Sequence, residues 1–339
     1  MTGSSTHQSA DQAPDHMDID ELEFMSGTVP QLLEAFVGEP IGPDADGNER
    51  FVSVSPNWWP GNRTFGGMVV AQALHAAIRT APTGLSIHSL HGYFLRPSHP
   101  GVPSTHTVRT IRDGRSFSLR EVVSAVEGKT AFIMNCSFHA AEEGDEYQLP
   151  MQEGVPIPAD VPGFEAPFPF DIRELGSTEQ RDDGTYLSTR RCWMRTRERM
   201  PDDPALHACV LAYTSDMTGA SFRPLSLGTW GTHADASLDH ALWFHRPARA
   251  DEWHLFDLQA LVNSGGRSTI RATMHSADGQ LDLSMAQELL IRKLEVPLQF
   301  DTPPWMEREA RRLVEGDALA NNGSVNEEGQ QEGETSGIA

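Results

Sequence analysis

The sequence contains few cysteines and no long apolar run. Cys136, Cys192 and Cys209 are odd in number and follow neither a zinc-ligand spacing nor a disulfide framework, which favours a reducing compartment. No stretch of about eighteen consecutive apolar residues occurs, so no transmembrane helix is predicted. Hydrophobic residues nevertheless make up 38% of the 339 residues. This fraction allows a sizeable core, and the chain length is enough for one large or two medium domains.

Basic residues are absent from both ends of the chain, and the charge is therefore uneven. Of the formal net charge of −22, residues 1–49 carry eleven acidic side chains and residues 315–339 carry six, with no Lys or Arg in either. Residues 50–314 are close to balanced, with 31 acidic and 26 basic side chains. A chain without a basic stripe is a poor nucleic-acid binder. An anionic ligand would need local arginines, and the central region has them.

Hydrophobic spacing predicts helices and many short strands. The helical segments are 28–36, 66–79 and 205–217. The strand-like segments are 51–55, 86–95, 104–111, 116–126, 130–139, 186–195, 236–246, 253–262, 267–276 and 281–292. Turn-forming and charged stretches then divide the chain into an acidic, partly disordered N-terminal segment, a first unit, an acidic Pro-rich linker, a second unit and an acidic disordered tail: 1–44, 45–140, 141–170, 171–300 and 301–339.

An internal repeat relates the two units. Three pairs of segments recur in order at an offset of 150 or about 151: Tyr93–Pro97 with Trp243–Pro247, Gly114–Arg120 with Gly266–Arg271, and Ala131–Cys136 with Asp282–Gln287. The alternative is that any two β-rich sequences resemble one another at such a low level of similarity, without a duplication. A duplication predicts two copies of a helix-plus-sheet unit, related by a pseudo-two-fold axis.

Polar residues replace apolar ones in the second copy only. Gln287 follows the alternating apolar positions Leu283 and Met285 on one strand face, whereas its counterpart is Cys136. A buried amide without partners costs about 1–3 kcal/mol, so such an exchange indicates a function. At an offset of 150, Asp216 stands opposite Gly66, at the start of the first-copy helix.

Ser237 shows the same exchange, since it stands opposite Ile87 at an offset of 150. A helix-capping carboxylate at Asp216 and a turn serine at Ser237 remain the alternative readings. Together with Gln287, these residues fall in the second copy only, which indicates one active site for the pair of copies.

The motifs resemble the acyl-CoA thioesterase II family, which includes bacterial thioesterase II and the peroxisomal acyl-CoA thioesterases. The resemblance covers roughly residues 45–295. It is carried by FGGMVVAQAL, HSLHGYFLRP, RDGRSF, LDHALWFHRP and AQE at Phe65–Leu74, His88–Pro97, Arg112–Phe117, Leu238–Pro247 and Ala286–Glu288. The sequence departs from the family at Gly219, where relatives carry bulkier apolar residues, and at Leu289, where they often carry a small one.

The resemblance implies an α+β fold, a double hot-dog in which each unit is a long central helix wrapped by an antiparallel sheet. It implies that Asp216, Ser237 and Gln287 form a catalytic trio that hydrolyses fatty acyl-CoA with an activated water. It implies an acyl-CoA substrate, no cofactor, and a homo-oligomer.

The compartment is expected to be peroxisomal or cytoplasmic. The acidic N-terminal segment argues against a transit peptide or a secretion signal, and the chain ends Ser336–Ala339 rather than in the Ser-Lys-Leu tripeptide.

The chemistry expected of the site is general-base hydrolysis. No Gly-x-Ser-x-Gly elbow is present, which disfavours a serine nucleophile. Asp216 is predicted to deprotonate a water that Ser237 and Gln287 hold. Backbone N–H groups near Gly66 and Gly67 are predicted to polarise the thioester carbonyl, although these glycines are equally explained by helix–sheet packing.

Arginines are the candidates for binding coenzyme A phosphates. The candidates are Arg63, Arg115, Arg246 and Arg267, with structural ion pairs as the alternative that is favoured for most of them. Arg246 repeats as Arg96 in the first copy, which suits a fold role, whereas Arg115 and Arg267 are predicted to contact substrate.

Two rival functions use the same fold. A non-catalytic acyl-CoA sensor or carrier has no reason to keep a water-activating trio. A hot-dog hydratase needs a convergent Asp/His pair, whereas Asp239 and His240 are adjacent in a strand and face opposite ways. Four histidines suggest a metal, but they lack a matching second cluster, so no metal site is predicted: His88, His91, His240 and His245.

Overall fold

Two long helices lie at the centre of the molecule. The computed structural model describes residues 27–58, 63–163, 169–175, 178–180, 186–220, 233–293 and 295. Within them are three α-helices: α1 (Val29–Phe36), α2 (Gly66–Ile78) and α3 (Pro204–Ala220). Helix α2 buries ten of its thirteen residues, and residues 207–217 of α3 are all buried. Burial on all sides shows that α2 and α3 are core helices, not surface helices with one narrow apolar face.

A single antiparallel sheet surrounds these helices. Its strands are β1 (Glu39–Pro40), β2 (Glu49–Val54), β3 (Leu85–Phe94), β4 (Pro103–Asp113), β5 (Phe117–Val126), β6 (Lys129–Ala140), β7 (Phe170–Glu174), β9 (Tyr186–Thr196), β10 (His233–Ser237), β11 (Asp239–Phe244), β12 (His254–Ser264), β13 (Arg267–Ser276) and β14 (Leu281–Lys293). The short β8 (Thr178–Gln180) pairs with β9 outside this sheet. The order is β1-β2-β4-β5-β6-β3-β11-β14-β13-β12-β9-β7, and β10 also pairs with β14.

The strand order is symmetric about the pairing of β3 with β11. Strands β2-β4-β5-β6-β3 on one side are matched by β9-β12-β13-β14-β11 on the other. At the centre of the β3–β11 ladder, His91 lies opposite Ala241, which is its counterpart at the repeat offset of 150. Two copies of one unit therefore join edge to edge around a pseudo-two-fold axis. This confirms the predicted double hot-dog.

The repeat offset applies to the strands but not to the helices. Helix α3 begins at Pro204, 138 residues after α2 begins at Gly66. Helix α3 is also longer than α2, with 17 residues against 13. Asp216 therefore lies near the C-terminal end of α3, so the alignment that placed it opposite a helix start was wrong in register. The alternative that Asp216 caps α3 fails with it, because a carboxylate caps a helix by accepting from the free N–H groups at the N-terminus.

Segments outside the two predicted units also make contacts. Helix α1 and strand β1 fall within residues 1–44, and α1 packs against α2 and α3. Within the linker, Gln148 exchanges hydrogen bonds of 2.8 and 3.1 Å with the backbone at the start of β14. Trp193 Nε1 donates to the Pro156 carbonyl at 2.9 Å. Residues 1–26 and 296–339, which include most of both predicted disordered segments, lie outside the described residues. No helix in the described residues is long and apolar enough to cross a membrane.

A buried histidine in the first unit predicts acid sensitivity. His106 is fully buried between Ser53 Oγ and Ser124 Oγ, both at 2.8 Å, and burial lowers its pKa to about 4. An unfolded histidine titrates near pH 6.5, so between about pH 6.5 and 4 the unfolded chain binds a proton that the native state excludes. We expect this group to lower the free energy of unfolding by roughly 3 kcal/mol across that window and no further below it.

Urea unfolding at several pH values measures this effect. The His106→Gln variant cannot titrate, so its stability should fall less on acidification than that of the wild type. Equal slopes in the two proteins would show that His106 is not the source.

Candidate active site

Three polar side chains from different elements meet in the second unit. Asp216, from α3, is fully buried, and its Oδ1 accepts hydrogen bonds from Gln287 Nε2 on β14 at 2.5 Å and from Ser237 Oγ at the end of β10 at 3.3 Å. Gln287 Nε2 also donates to Ser237 Oγ at 2.9 Å. Because the amide and the hydroxyl both donate to the same oxygen, they together hold the carboxyl group in one orientation.

Local strand geometry explains how two of these side chains point inward. Leu283, Met285, Gln287 and Leu289 are all buried at alternate positions of β14, so the amide shares the core face as the alternation predicts. The predicted strand 236–246 is interrupted after Ser237, and the amide of the next residue donates to the Glu288 carbonyl at 2.8 Å.

The first copy has the matching irregularity, between Ile87 and Ser89 of β3. The two units therefore share their backbone path at this bulge and differ only in side chains.

The second oxygen of Asp216 faces the start of α2. Asp216 Oδ2 has no hydrogen-bond partner among the described residues, and the same holds for Gln287 Oε1. A Cβ atom added to Gly66 would lie 2.7 Å from Oδ2, and one added to Gly67 would lie 2.5 Å from the Tyr213 carbonyl. These contacts require α2 and α3 to run antiparallel in close contact, with the α2 N-terminus against Asp216. The first backbone N–H groups of α2 lack both intrahelical acceptors and a side-chain cap.

The equivalent place in the first copy is apolar. Strand pairing aligns Leu90 and Cys136 of the first copy with His240 and Gln287 of the second. Comparison of the two copies found the exchange at Gln287 but overlooked the one at His240, which was weighed only as a metal ligand or as half of a hydratase Asp/His pair. The same offset of 150 was the signal for it. His240 is fully buried with Nδ1 at 4.0 Å from Asp216 Oδ1, and burial lowers its pKa although the Asp216 charge opposes this.

Comparison with known proteins places both units in one family. A model described as the acyl-CoA thioesterase N-terminal domain matches residues 55–139, and one described as the C-terminal domain matches residues 141–291. Together they match more than half of the chain. The chain belongs to the acyl-CoA thioesterase II family. It is therefore a thioester hydrolase, as the sequence predicts.

Individual relatives agree with this assignment. Human acyl-coenzyme A thioesterase 8 is 32% identical over 270 residues, covering 69% of this chain and 82% of that protein. Acyl-CoA thioesterase 2 of Haemophilus influenzae is 32% identical over 251 residues, covering 68% and 88%. The crystal structure of acyl-CoA thioesterase II TesB2 from Mycobacterium marinum superposes with a TM-score of 0.67 at 34% identity, covering 78% of this chain and 99% of that one.

The two arginines predicted to bind substrate lie at opposite ends of the thioesterase. Arg267, at the start of β13, pairs through Nε with Glu288 Oε1 at 2.9 Å, one residue beyond Gln287. Arg115 is exposed in the β4–β5 turn. Beside that turn, Arg120 binds Asp113 and also Thr80, which follows the C-terminus of α2. Helix α2 is thirteen residues long, about 20 Å, so Arg115 is not brought to the trio.

The remaining arginine and histidine candidates take up other positions. Arg246 donates to the Leu281 carbonyl and pairs with Glu146, and Arg63 is exposed. His88 and His245 contact Ser137 and Ser284, and His91 packs on the Trp243 ring. Across the described ranges, no three His, Cys, Asp or Glu side chains form a group suited to a metal ion.

Proposed function

We propose that this thioesterase hydrolyses fatty acyl-CoA to the free fatty acid and coenzyme A, using a water that Asp216 deprotonates. The supporting observation is the orientation of one buried carboxylate. Its Oδ1 is held by Gln287 and Ser237, and its Oδ2 faces the uncapped start of α2 at Gly66. This arrangement leaves one basic oxygen beside a group of backbone donors, which thioester hydrolysis requires.

The proposed water lies between Asp216 Oδ2 and Gln287 Oε1. A water has two hydrogens, and these two buried oxygens both lack hydrogen-bond donors among the described residues. Ser237 acts through Asp216, because its hydroxyl donates to Oδ1 while it accepts from Gln287 Nε2. In this assignment, Gln287 orients both the base and the nucleophile.

The chemical steps balance without a cofactor. Asp216 takes one proton from the water as the oxygen attacks the thioester carbonyl carbon. The developing oxyanion accepts hydrogen bonds from the backbone N–H groups of Gly66 and Gly67, where the positive end of the α2 dipole adds to the stabilisation. The C–S bond then breaks, and the coenzyme A thiolate receives the proton from Asp216.

Substrate, assembly and compartment are parts of the same proposal. Arg267 lies opposite Leu290 in the β13–β14 ladder and binds Glu288, the neighbour of Gln287, so it is the better of the two arginines for a coenzyme A phosphate. We further propose a homo-oligomer. For the compartment, we propose peroxisomal or cytoplasmic residence. A Saccharomyces cerevisiae protein named peroxisomal acyl-coenzyme A thioester hydrolase 1 is 31% identical over 93 residues.

A panel of acyl-CoA substrates of increasing chain length tests the activity. We expect time-dependent release of free thiol, detected with a thiol-reactive chromophore, and equimolar fatty acid. Acyl-CoA binding without thiol release would favour the sensor or carrier instead. Hydration of an enoyl-CoA without thiol release would favour the hydratase.

Ser237 provides a graded test of the carboxylate orientation. The Ser237→Thr variant keeps the hydroxyl, and we expect its turnover to stay within about threefold of wild type. The Ser237→Ile variant carries the first-copy residue, Ile87, and loses one hydrogen bond to a charged group, worth about 1.5–3 kcal/mol. Its kcat should therefore fall by roughly 10- to 100-fold. Equal activity of the two variants would remove Ser237 from the mechanism.

A further inference from the structure

His240 lies behind the carboxylate, on the side away from α2. Its imidazole is fully buried, with Nε2 at 2.9 Å from Ser215 Oγ and Nδ1 at 4.0 Å from Asp216 Oδ1. The proposed mechanism gives this side chain no role. Its first-copy equivalent is Leu90, so the fold itself does not require an imidazole there.

The hydrogen bonds of Ser215 fix the tautomer of His240. Ser215 Oγ lies 2.8 Å from the Ala212 carbonyl, which only accepts, so the single hydroxyl proton is directed there. Ser215 Oγ must then accept from His240, and Nε2 carries the ring proton. In a neutral ring this leaves the lone pair of Nδ1 on the side of Asp216. Nδ1 has no hydrogen-bond partner among the described residues.

The charges around the ring are consistent with a neutral imidazole in the resting enzyme. Burial lowers the pKa of His240, and the carboxylates of Asp216 and Asp239 oppose that effect. Asp239 lies on the opposite face of β11, where its Oδ1 accepts from the Glu288 amide at 2.6 Å. Asp216 is therefore the acidic partner on the Nδ1 side.

We propose that His240 is a positioning residue that shares with Asp216 the proton taken from the water. The inference rests on the proposed function. Asp216 takes the proton at Oδ2, and rotation of its carboxyl group about the Cβ–Cγ bond turns the protonated oxygen toward the Nδ1 lone pair. The proton then passes to Nδ1, which leaves an imidazolium beside a carboxylate. The proton returns through Asp216 to the coenzyme A thiolate, so the cycle is balanced. Asp216 Oδ1 and His240 Nδ1 are 4.0 Å apart, so a rotation of the Asp216 side chain is enough to bring the two groups within hydrogen-bonding distance.

Substitution by the first-copy residue tests this role. We expect His240→Leu to lower kcat about tenfold or more while KM stays within about twofold, because acyl-CoA does not contact the ring. The melting temperature should not fall, since leucine occupies the equivalent position at Leu90. The His240→Gln variant still donates to Ser215 but is not basic, so it should not restore kcat. Full rescue by glutamine would show that only the hydrogen bond to Ser215 matters and would overturn the proposal.

A double-mutant cycle separates proton sharing from a structural role. If His240 acts through Asp216, adding His240→Leu to Asp216→Asn should cost little further activity, whereas a structural role predicts independent losses that multiply. In addition, ¹⁵N NMR of histidine-labelled enzyme should show a neutral ring protonated at Nε2 near pH 7. A ring protonated at Nδ1 would contradict the inference. Wild-type activity of His240→Leu with an inactive Asp216→Asn would reject this inference alone, whereas an active Asp216→Asn would reject the proposed function.

Discussion

Replacing Asp216 by asparagine is expected to lower kcat for acyl-CoA by about 10²- to 10⁴-fold, the range for loss of a general base. The side chain keeps its shape but no longer accepts a proton at the position facing Gly66. Because substrate binding does not depend on the charge, KM should change little, so kcat and kcat/KM should fall together. Steady-state thiol release at saturating substrate measures the effect.

The same exchange at an exposed carboxylate provides the control. Asp278 lies in the turn between β13 and β14, where it binds Ser276 at the surface. The Asp278→Asn variant should keep wild-type kcat. Thermal unfolding should show that Asp216→Asn remains folded, since it removes a charge from a buried position rather than adding one. Wild-type turnover by folded Asp216→Asn would disprove the general-base mechanism.

Adding one carbon at Gly66 should damage the enzyme nearly as severely. The new methyl carbon would lie 2.7 Å from Asp216 Oδ2 and 3.3 Å from the Phe94 ring, closer than such contacts normally allow. Either Asp216 rotates away or α2 moves, and the proposed water and oxyanion donors are displaced. We expect Gly66→Ala to lose at least about 100-fold in kcat/KM, the scale for losing one oxyanion donor.

Stability measurements distinguish this effect from general disruption. Alanine has a higher helix propensity than glycine by about 1 kcal/mol, so the substitution does not weaken α2 itself. Gly144, in the linker, has open space around its Cα and no positive φ angle, so Gly144→Ala is the matched control and should be fully active. An active Gly66→Ala variant with normal KM would mean that the start of α2 takes no part in the reaction.

Strand-level features of the site were predictable because they are periodic. Alternation along β14 placed Gln287 among buried apolar residues, and the constant offset between copies paired Ser237 with Ile87. His240 obeyed the same rule through Leu90, so it was within reach of the comparison. It was missed because His240 was judged only as a metal ligand or as the partner of Asp239 in a hydratase, and was not compared with Leu90.

Features that depend on helix packing were not predictable in the same way. Helix α3 begins 138 residues after α2 begins, so the offset of 150 that suits the strands assigns Asp216 the wrong counterpart. The pseudo-two-fold axis also separates equivalent residues that lie far from it, although those close to it, such as His91 and Ala241, stay adjacent. Arg115 and Arg267, which match in sequence, therefore lie far apart relative to the trio.

The sequence alone determined the family, the duplicated fold and the three polar residues that distinguish the second copy, because each is recorded in local patterns that survive duplication. Only the tertiary structure decided that Gly66 faces Asp216 and that His240 lies behind it. The first contact joins antiparallel helices from different copies, and the second joins a helix to a strand of the surrounding sheet. A linear offset carries no information about which atoms approach across either interface.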